Sequence, residues 1–362
     1  MRLVCHMAMN PRTLVAAAAI LVSLALGVPA HSQVIGSYDN FDSINDTGRE
    51  AEGFEIDVEE VQPTDITRIF PDNFPSGQPY IRYATPNKNA LRLITFPDGH
   101  KGVSIVYSAQ YVAGHWVTEW GATTMPGTAT QIGNGTPYVK NPTYTNGESC
   151  WTLGSGAKYP SSGCDHFGIS LAAGKSPGKT TYHWLVPGPQ PGTLVKYGSV
   201  ASLPPSPVLN QLPPAPGAPP VVHAVAEAPE QPDRLAANQF SDAYWLKTFT
   251  SYSPKHADLN KLQMNLVPMM GPGVVIGWAL VQRAPAGVSG EKSDVEDDSI
   301  PPGDVQVVKR YEYYTYNGAY DPETHEVNCG GDNSCNVPVL GLNGKYELGK
   351  FIGAHMNAYD VR

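Results

Sequence analysis

Charge is scarce in this sequence. Lys, Arg, Asp and Glu make up 16% of the 362 residues, and no cluster of Lys or Arg occurs anywhere. The formal net charge is −9, so there is no basic face of the kind a general nucleic-acid binder needs for phosphate. No apolar run after the first thirty residues approaches membrane-spanning length, which leaves no expected span in the mature chain. No repeat links the two halves. What is abundant is Gly (36), Pro (34) and Tyr (19), the last outnumbering Phe (9) and Trp (6) together. Turn formers with many aromatic and β-branched residues favour short strands over long helices.

The first thirty residues carry the pattern of a secretory signal peptide. Arg2 and Arg12 flank a polar start, residues 14–26 are apolar, and Val28-Pro29-Ala30 offers small residues for cleavage. The expectation is an exported protein, secreted or periplasmic. Cys5 falls inside the signal, leaving Cys150, Cys164, Cys329 and Cys335 in an oxidising compartment. Four cysteines allow three pairings, and proximity favours Cys150 with Cys164 and Cys329 with Cys335. A loop near fifteen residues would contribute about 3 kcal/mol in the chain-entropy model. Zinc is disfavoured, because neither pair has C-x-x-C spacing and no His follows at finger distance. No cofactor or metal is expected.

The length suggests two domains. Residues 34–200 form a first module of short alternating runs. In 103–111, Val103, Ile105, Tyr107, Ala109 and Tyr111 share a face. Phe167, Ile169 and Leu171 make another run, and after a Gly/Ser/Pro turn Tyr182, Trp184 and Val186 return. Paired as a hairpin, those two runs face one core. Residues 201–233 are proline-rich, as in Leu203-Pro204-Pro205-Ser206-Pro207, and are expected to form an extended linker outside any sheet. Residues 234–362 make the second module, with short helices after Asp233 and Asp258 and strands over 244–250, 274–281 and 305–316. The strand at 274–281 is apolar on both sides and is expected to be central. The fold class is therefore all-β, two β-sandwich modules, Ig-like or jelly-roll-like, joined by a Pro-rich linker.

The most informative stretch is Gly53-Phe54-Glu55-Ile56-Asp57-Val58-Glu59. Phe54, Ile56 and Val58 alternate with Glu55, Asp57 and Glu59, so a strand buries one side and lines three carboxylates along the other. The preferred reading of those carboxylates is a solvated face. The E-x-D-x-E run also resembles the jelly-roll glycoside hydrolases that cleave laminarin, agar and similar polysaccharides. That resemblance implies Glu55 as nucleophile, Glu59 as acid/base and Asp57 as the residue holding the pair. Positions i and i+4 on a strand are ~13 Å apart at Cα, and the two side chains would have to lean to within ~5.5 Å for a retaining mechanism. Pro63 interrupts the aromatic flank that family carries, and few residues precede the run.

Asn45-Asp46-Thr47-Gly48, Ala51 and Gly53-Phe54 resemble the N-x-T-G…A…G-aromatic hairpin of bacterial exported Ig-like and carbohydrate-binding β-sandwiches. With residues 318–326, the stretch is similar to exported bacterial proteins of unknown function. The resemblance implies fold and export and brings no activity.

Trp116, Trp120, Tyr314 and Tyr316 are the candidate ligand-stacking residues. Paired on one side of a strand, aromatics offer apolar area to a sugar ring, the competing reading being ordinary core. His166 with His183, and Asp165-His166 with Ser170, lack a third ligand or a G-x-S-x-G turn, so neither a metal site nor a triad is expected. Asp294, Glu296, Asp297 and Asp298 lie in an expected loop, and Asp321 with Glu323 in another. Neither has calcium-loop spacing. The expected function is a non-enzymatic binding or structural protein of the envelope or extracellular space. Carbohydrate or other cell-surface components are its candidate partners. A polysaccharide hydrolase and an adhesin or matrix subunit are the alternatives.

Overall fold

The computed structural model describes residues 38–45, 47–70, 83, 86–117, 149, 164–172, 175, 177–197, 208–212, 219, 221–228, 239–255, 273–285, 287–289, 294–328, 335–339 and 347–360, all inside one compact unit, Val34–Val361. Every described sheet is antiparallel. A seven-stranded sheet contains β1 (Tyr38–Ile44), β3 (Ile66–Phe70), β8 (Cys164–Leu171), β13 (Ala243–Ser253), β14 (Val275–Gln282), β16 (Gln306–Tyr316) and β19 (Leu348–Asp360), in the order β14-β13-β16-β19-β1-β8-β3. A five-stranded sheet contains β2 (Gly53–Glu59), β4 (Arg92–Thr95), β5 (Lys101–Ser108), β9 (Thr180–Pro187) and β10 (Leu194–Lys196), in the order β10-β9-β2-β5-β4. A smaller sheet runs β11 (Val208–Leu212), β12 (Val221–Ala226), β15 (Asp294–Ser299). Two ribbons complete the set, β6 (Gln110–Val112) with β7 (His115–Val117) and β17 (Ala319–Tyr320) with β18 (Val327–Asn328). Among the described residues no helix is long and apolar enough to cross a membrane.

The main core follows from alternation. Phe54, Ile56 and Val58 of β2 are fully buried, with Val103, Ile105 and Tyr107 of β5 on one side and Tyr182 and Trp184 of β9 on the other. Phe41, Phe167, Ile169 and Leu171 of the seven-stranded sheet meet them. The Phe54 and Phe167 rings stack with centroids 4.2 Å apart and planes within 8°. Such a pair contributes about 0.5–1.5 kcal/mol beyond its buried area. Further along the seven-stranded sheet, Ala224 and Ala226 of β12 pack with Tyr244, Leu246, Tyr311 and Tyr313. Their small side chains leave room for the tyrosine rings.

The expected boundary does not separate the sheets. The seven-stranded sheet takes β1, β3 and β8 from the first expected module and β13, β14, β16 and β19 from the second, joined by the β1–β19 ladder. Within residues 201–233, β11 and β12 are strands paired to each other. The prolines flank them: Pro207 and Pro213 bracket β11, and Pro220 precedes β12. A proline-free, valine-rich piece between proline stops retains every donor it needs for a ladder.

Three further expectations are revised. The runs at 164–171 and 180–187 are not a hairpin, because β8 pairs with β1 and β3 while β9 pairs with β2 and β10. They face one core from opposite layers. β14 is an edge strand rather than a central one, with Val275 and Ile276 exposed. The acidic stretch at 294–299 is β15, paired with β12. The helices expected after Asp233 and Asp258 lie outside the described residues.

Candidate functional site

The chain enters β2 through a corner from β1, crossing from one sheet to the other instead of forming the hairpin suggested by the sequence. Asn45 Oδ1 accepts from the Thr47 amide at 3.1 Å and from Thr47 Oγ1 at 2.6 Å, and Asn45 Nδ2 donates to the Arg49 carbonyl at 2.8 Å. Gly48 supplies the positive φ of 69° that the turn requires. These bonds satisfy a buried asparagine and set the register in which Phe54 enters the core.

On the opposite side of β2, antiparallel register builds rows of side chains. Arg92, Ser104, Asp57 and Thr181 form one row, and Val106, Glu55 and His183 the next. Lys196 of β10 stands opposite Leu185, one row further on. Lys196 and Arg92 sit on the two edge strands of the sheet, and both reach inward to Glu55. Lys196 Nζ lies 3.7 Å from Glu55 Oε2 and 2.5 Å from Asp57 Oδ2, and Arg92 Nη2 lies 3.5 Å from Glu55 Oε1. The Ser104 hydroxyl donates to Glu55 Oε1.

The expected wet face is therefore buried. Glu55, Asp57 and Glu59 retain 6%, 3% and 7% of their surface. Long cationic side chains arching over a strand can cover it with their methylene stems while their ends stay in water. Burial pushes the Glu55 carboxyl above its ordinary value, and the neighbouring Asp57 charge adds to the rise. Ser104, Lys196 and Arg92 oppose it. Burial pushes His183 below its ordinary value, helped by Lys196 and opposed by Asp57. Two buried atoms in this group, Asp57 Oδ1 and His183 Nδ1, have no hydrogen-bond partner among the described residues.

Glu59 stands apart at the far end of the strand. Its Oε2 accepts from the Lys179 amide at 3.3 Å and lies 3.7 Å from His100 Nδ1. The two glutamates of the E-x-D-x-E run thus have separate partners.

The aromatic candidates divide. Tyr314 and Tyr316 are buried, so they form core and not a stacking platform. Tyr314 donates to Glu312 Oε2 at 2.7 Å, and its hydroxyl is pushed well above the usual range by burial and by the Glu312 charge. Tyr316 is pushed up to about 12, chiefly by burial. Trp116 is half-buried in the β6–β7 ribbon, its ring 5.2 Å from the exposed Tyr111 at 64°. A methyl added at Gly192, in the turn between β9 and β10, would lie 3.1 Å from Tyr111 Cδ1, so the ribbon rests on the turn leading to Lys196. Trp120 lies outside the described residues, as do Cys150 and Cys329. The side chains of Cys164 and His166 do too, and Cys335 packs beside the Trp245–Phe351 cluster. Asp321 caps its own turn, accepting from the Glu323 and Thr324 amides at 2.9 and 2.8 Å.

Arg92, Ser104, Lys196 and Tyr111 were not legible as site residues. For Arg92, Ser104 and Lys196 the only signal is register, since each lies on a strand that pairs with β2 or with its neighbours, whereas Tyr111 lies on the separate β6–β7 ribbon. No protein-family model matches the chain, and no curated protein is significantly similar to it.

Proposed function

We propose that this is an exported, non-enzymatic binding protein of the envelope or extracellular space, whose outer β2 face recognises a glycan. One observation carries the reading. Glu55 and Glu59 are held by different partner sets, Glu55 by Ser104, Lys196 and Arg92, and Glu59 by His100 and the Lys179 amide. A retaining hydrolase needs its two carboxyls facing one bond about 5–5.5 Å apart. Lys196 and Arg92, with side chains 43% and 67% exposed, are held over the buried carboxylates and offer charged donors that sugar hydroxyls bind. Tyr111, exposed just beyond the Ser108 end of β5, supplies an aromatic ring for stacking, backed edge-on by Trp116, which packs against the core.

The hydrolase keeps one supporting feature. Burial and the neighbouring Asp57 charge raise the Glu55 carboxyl from its ordinary value, the direction expected of an acid next to a carboxylate. A glycan array followed by a reducing-sugar assay on the array hits separates the two. Binding without new reducing ends supports recognition, and turnover that Glu55→Gln abolishes supports the hydrolase. The disulfides Cys150–Cys164 and Cys329–Cys335 belong to the exported reading, and mass spectrometry of unreduced peptides tests both.

A further inference from the structure

We propose that Glu59, Asp98 and His100 form a site for a divalent transition-metal cation. Glu59 ends β2, while Asp98 and His100 lie in the turn between β4 and β5. That turn is fixed by its own bonds: the Phe96 amide donates to the His100 carbonyl at 2.8 Å, and the Gly99 amide to the Phe96 carbonyl at 2.9 Å. The His100 amide donates to Asp98 Oδ1 at 3.0 Å. This leaves Asp98 Oδ2 facing the imidazole, 3.8 Å from His100 Nδ1, with Glu59 Oε2 3.7 Å from the same nitrogen. One ligand atom from each of the three residues lies within 4.8 Å of the others. The His100 separations exceed a hydrogen bond. They lie just outside the edge of roughly 3.4–3.6 Å between two ligands each about 2.1 Å from one ion at angles of about 109–120°, so a shift of a few tenths of an ångström closes the three onto a cation.

The second observation is the state of Glu59. Its side chain is 9% exposed, and among the described residues its only ion-pair partner is His100, which is charged only when protonated. A single 3.3 Å bond from the Lys179 amide reaches Oε2. A buried carboxylate without a permanent counter-charge is costly, and a cation between the three ligands removes that cost. Glu55 and Asp57, on the same strand, have Lys196 for this purpose. Glu59 does not. One imidazole nitrogen with two carboxylate oxygens suits Zn²⁺ or Mn²⁺ better than the all-oxygen shells of Ca²⁺ and Mg²⁺. Three protein ligands leave an open coordination position.

The test is calorimetric titration of the chelator-treated protein with Zn²⁺ alone. The expected result is one site whose affinity falls at least tenfold in both Asp98→Asn and His100→Ala. The Asp98 side chain is 57% exposed, so its substitution leaves the fold intact. Glu59→Gln, checked for folding by circular dichroism, is the buried counterpart and loses the same affinity. His115→Ala, an exposed histidine outside the cluster, keeps it. Zn²⁺ binding that survives Asp98→Asn and His100→Ala unchanged, or no binding up to millimolar Zn²⁺, overturns the proposal.

Discussion

Arg310 Nη2 donates to Asp42 Oδ2 at 2.8 Å, joining residues 268 positions apart in the chain. The same guanidinium donates through Nε to Glu312 Oε1 at 2.8 Å, and both carboxylates are buried with it. The ion set spans β1, at the start of the fold, and β16, near its end, across β19. Despite its burial, Arg310 is held well above its ordinary value by Asp42 and Glu312. Asp42→Ala leaves Glu312 as the guanidinium's only carboxylate partner among the described residues and should cost about 3–5 kcal/mol, the usual loss when one partner of a buried pair is removed. Urea unfolding measures it, and a loss below about 1 kcal/mol would show the pair to be dispensable.

Where alternation is strict, the sequence reveals the fold. Phe54, Ile56 and Val58 mark β2 and its buried side correctly, and Tyr311 and Tyr313 lie in a strand where expected. Alternation cannot say whether two apolar runs pair within one sheet or face each other across the core. Phe167 and Trp184 do the latter, which is why β8 and β9 read as a hairpin. β1 carries Asp39, Asn40 and Asp42, a polar run without the alternation of a strand, and Asp42 is explained only by Arg310, 268 residues away. The acidic face of β2 was visible, but its burial was not. Its cover comes from Lys196, 139 residues from Asp57, and from Arg92 on the opposite edge strand.

Acid and base titration should reveal the buried pair on the outer face. In the folded protein Glu55 keeps its proton above the ordinary 4.5, so the native state binds more protons than the unfolded chain as pH rises from there. Stability on its account is full below 4.5 and falls as pH climbs through the raised value. His183 behaves oppositely in mechanism. Its folded value lies below 6.5, so stability is full above 6.5 and falls as pH drops towards that lower value. Urea midpoints measured against pH should lose the first slope in Glu55→Gln and the second in His183→Gln. Unchanged slopes in both variants would contradict the assignment.

Lys196→Ala tests the bridge itself. Lys196 lowers both Glu55 and His183, so its removal should raise both titration midpoints in an NMR titration of the carboxyl carbon and the imidazole. A midpoint that stays still would mean that Lys196 points to solvent.

Close strand approach beside the site should make Gly102 intolerant of a side chain. A methyl there collides with the Val58 carbonyl oxygen and lies 2.8 Å from Phe96 Cε2. Gly102→Ala should destabilise by about 1–3 kcal/mol, the usual range for overpacking, as read from the thermal or urea midpoint. Wild-type stability in that variant would show that β2 and β5 can move apart freely.

The most direct test of the recognition reading is calorimetry of an array-selected glycan, with reducing ends counted in the same sample afterwards. The account predicts binding at least tenfold weaker in Asp57→Asn than in wild type, and no new reducing ends in either. Release of reducing ends by the wild type, abolished in Glu55→Gln, would contradict it and make the outer face of β2 an active site.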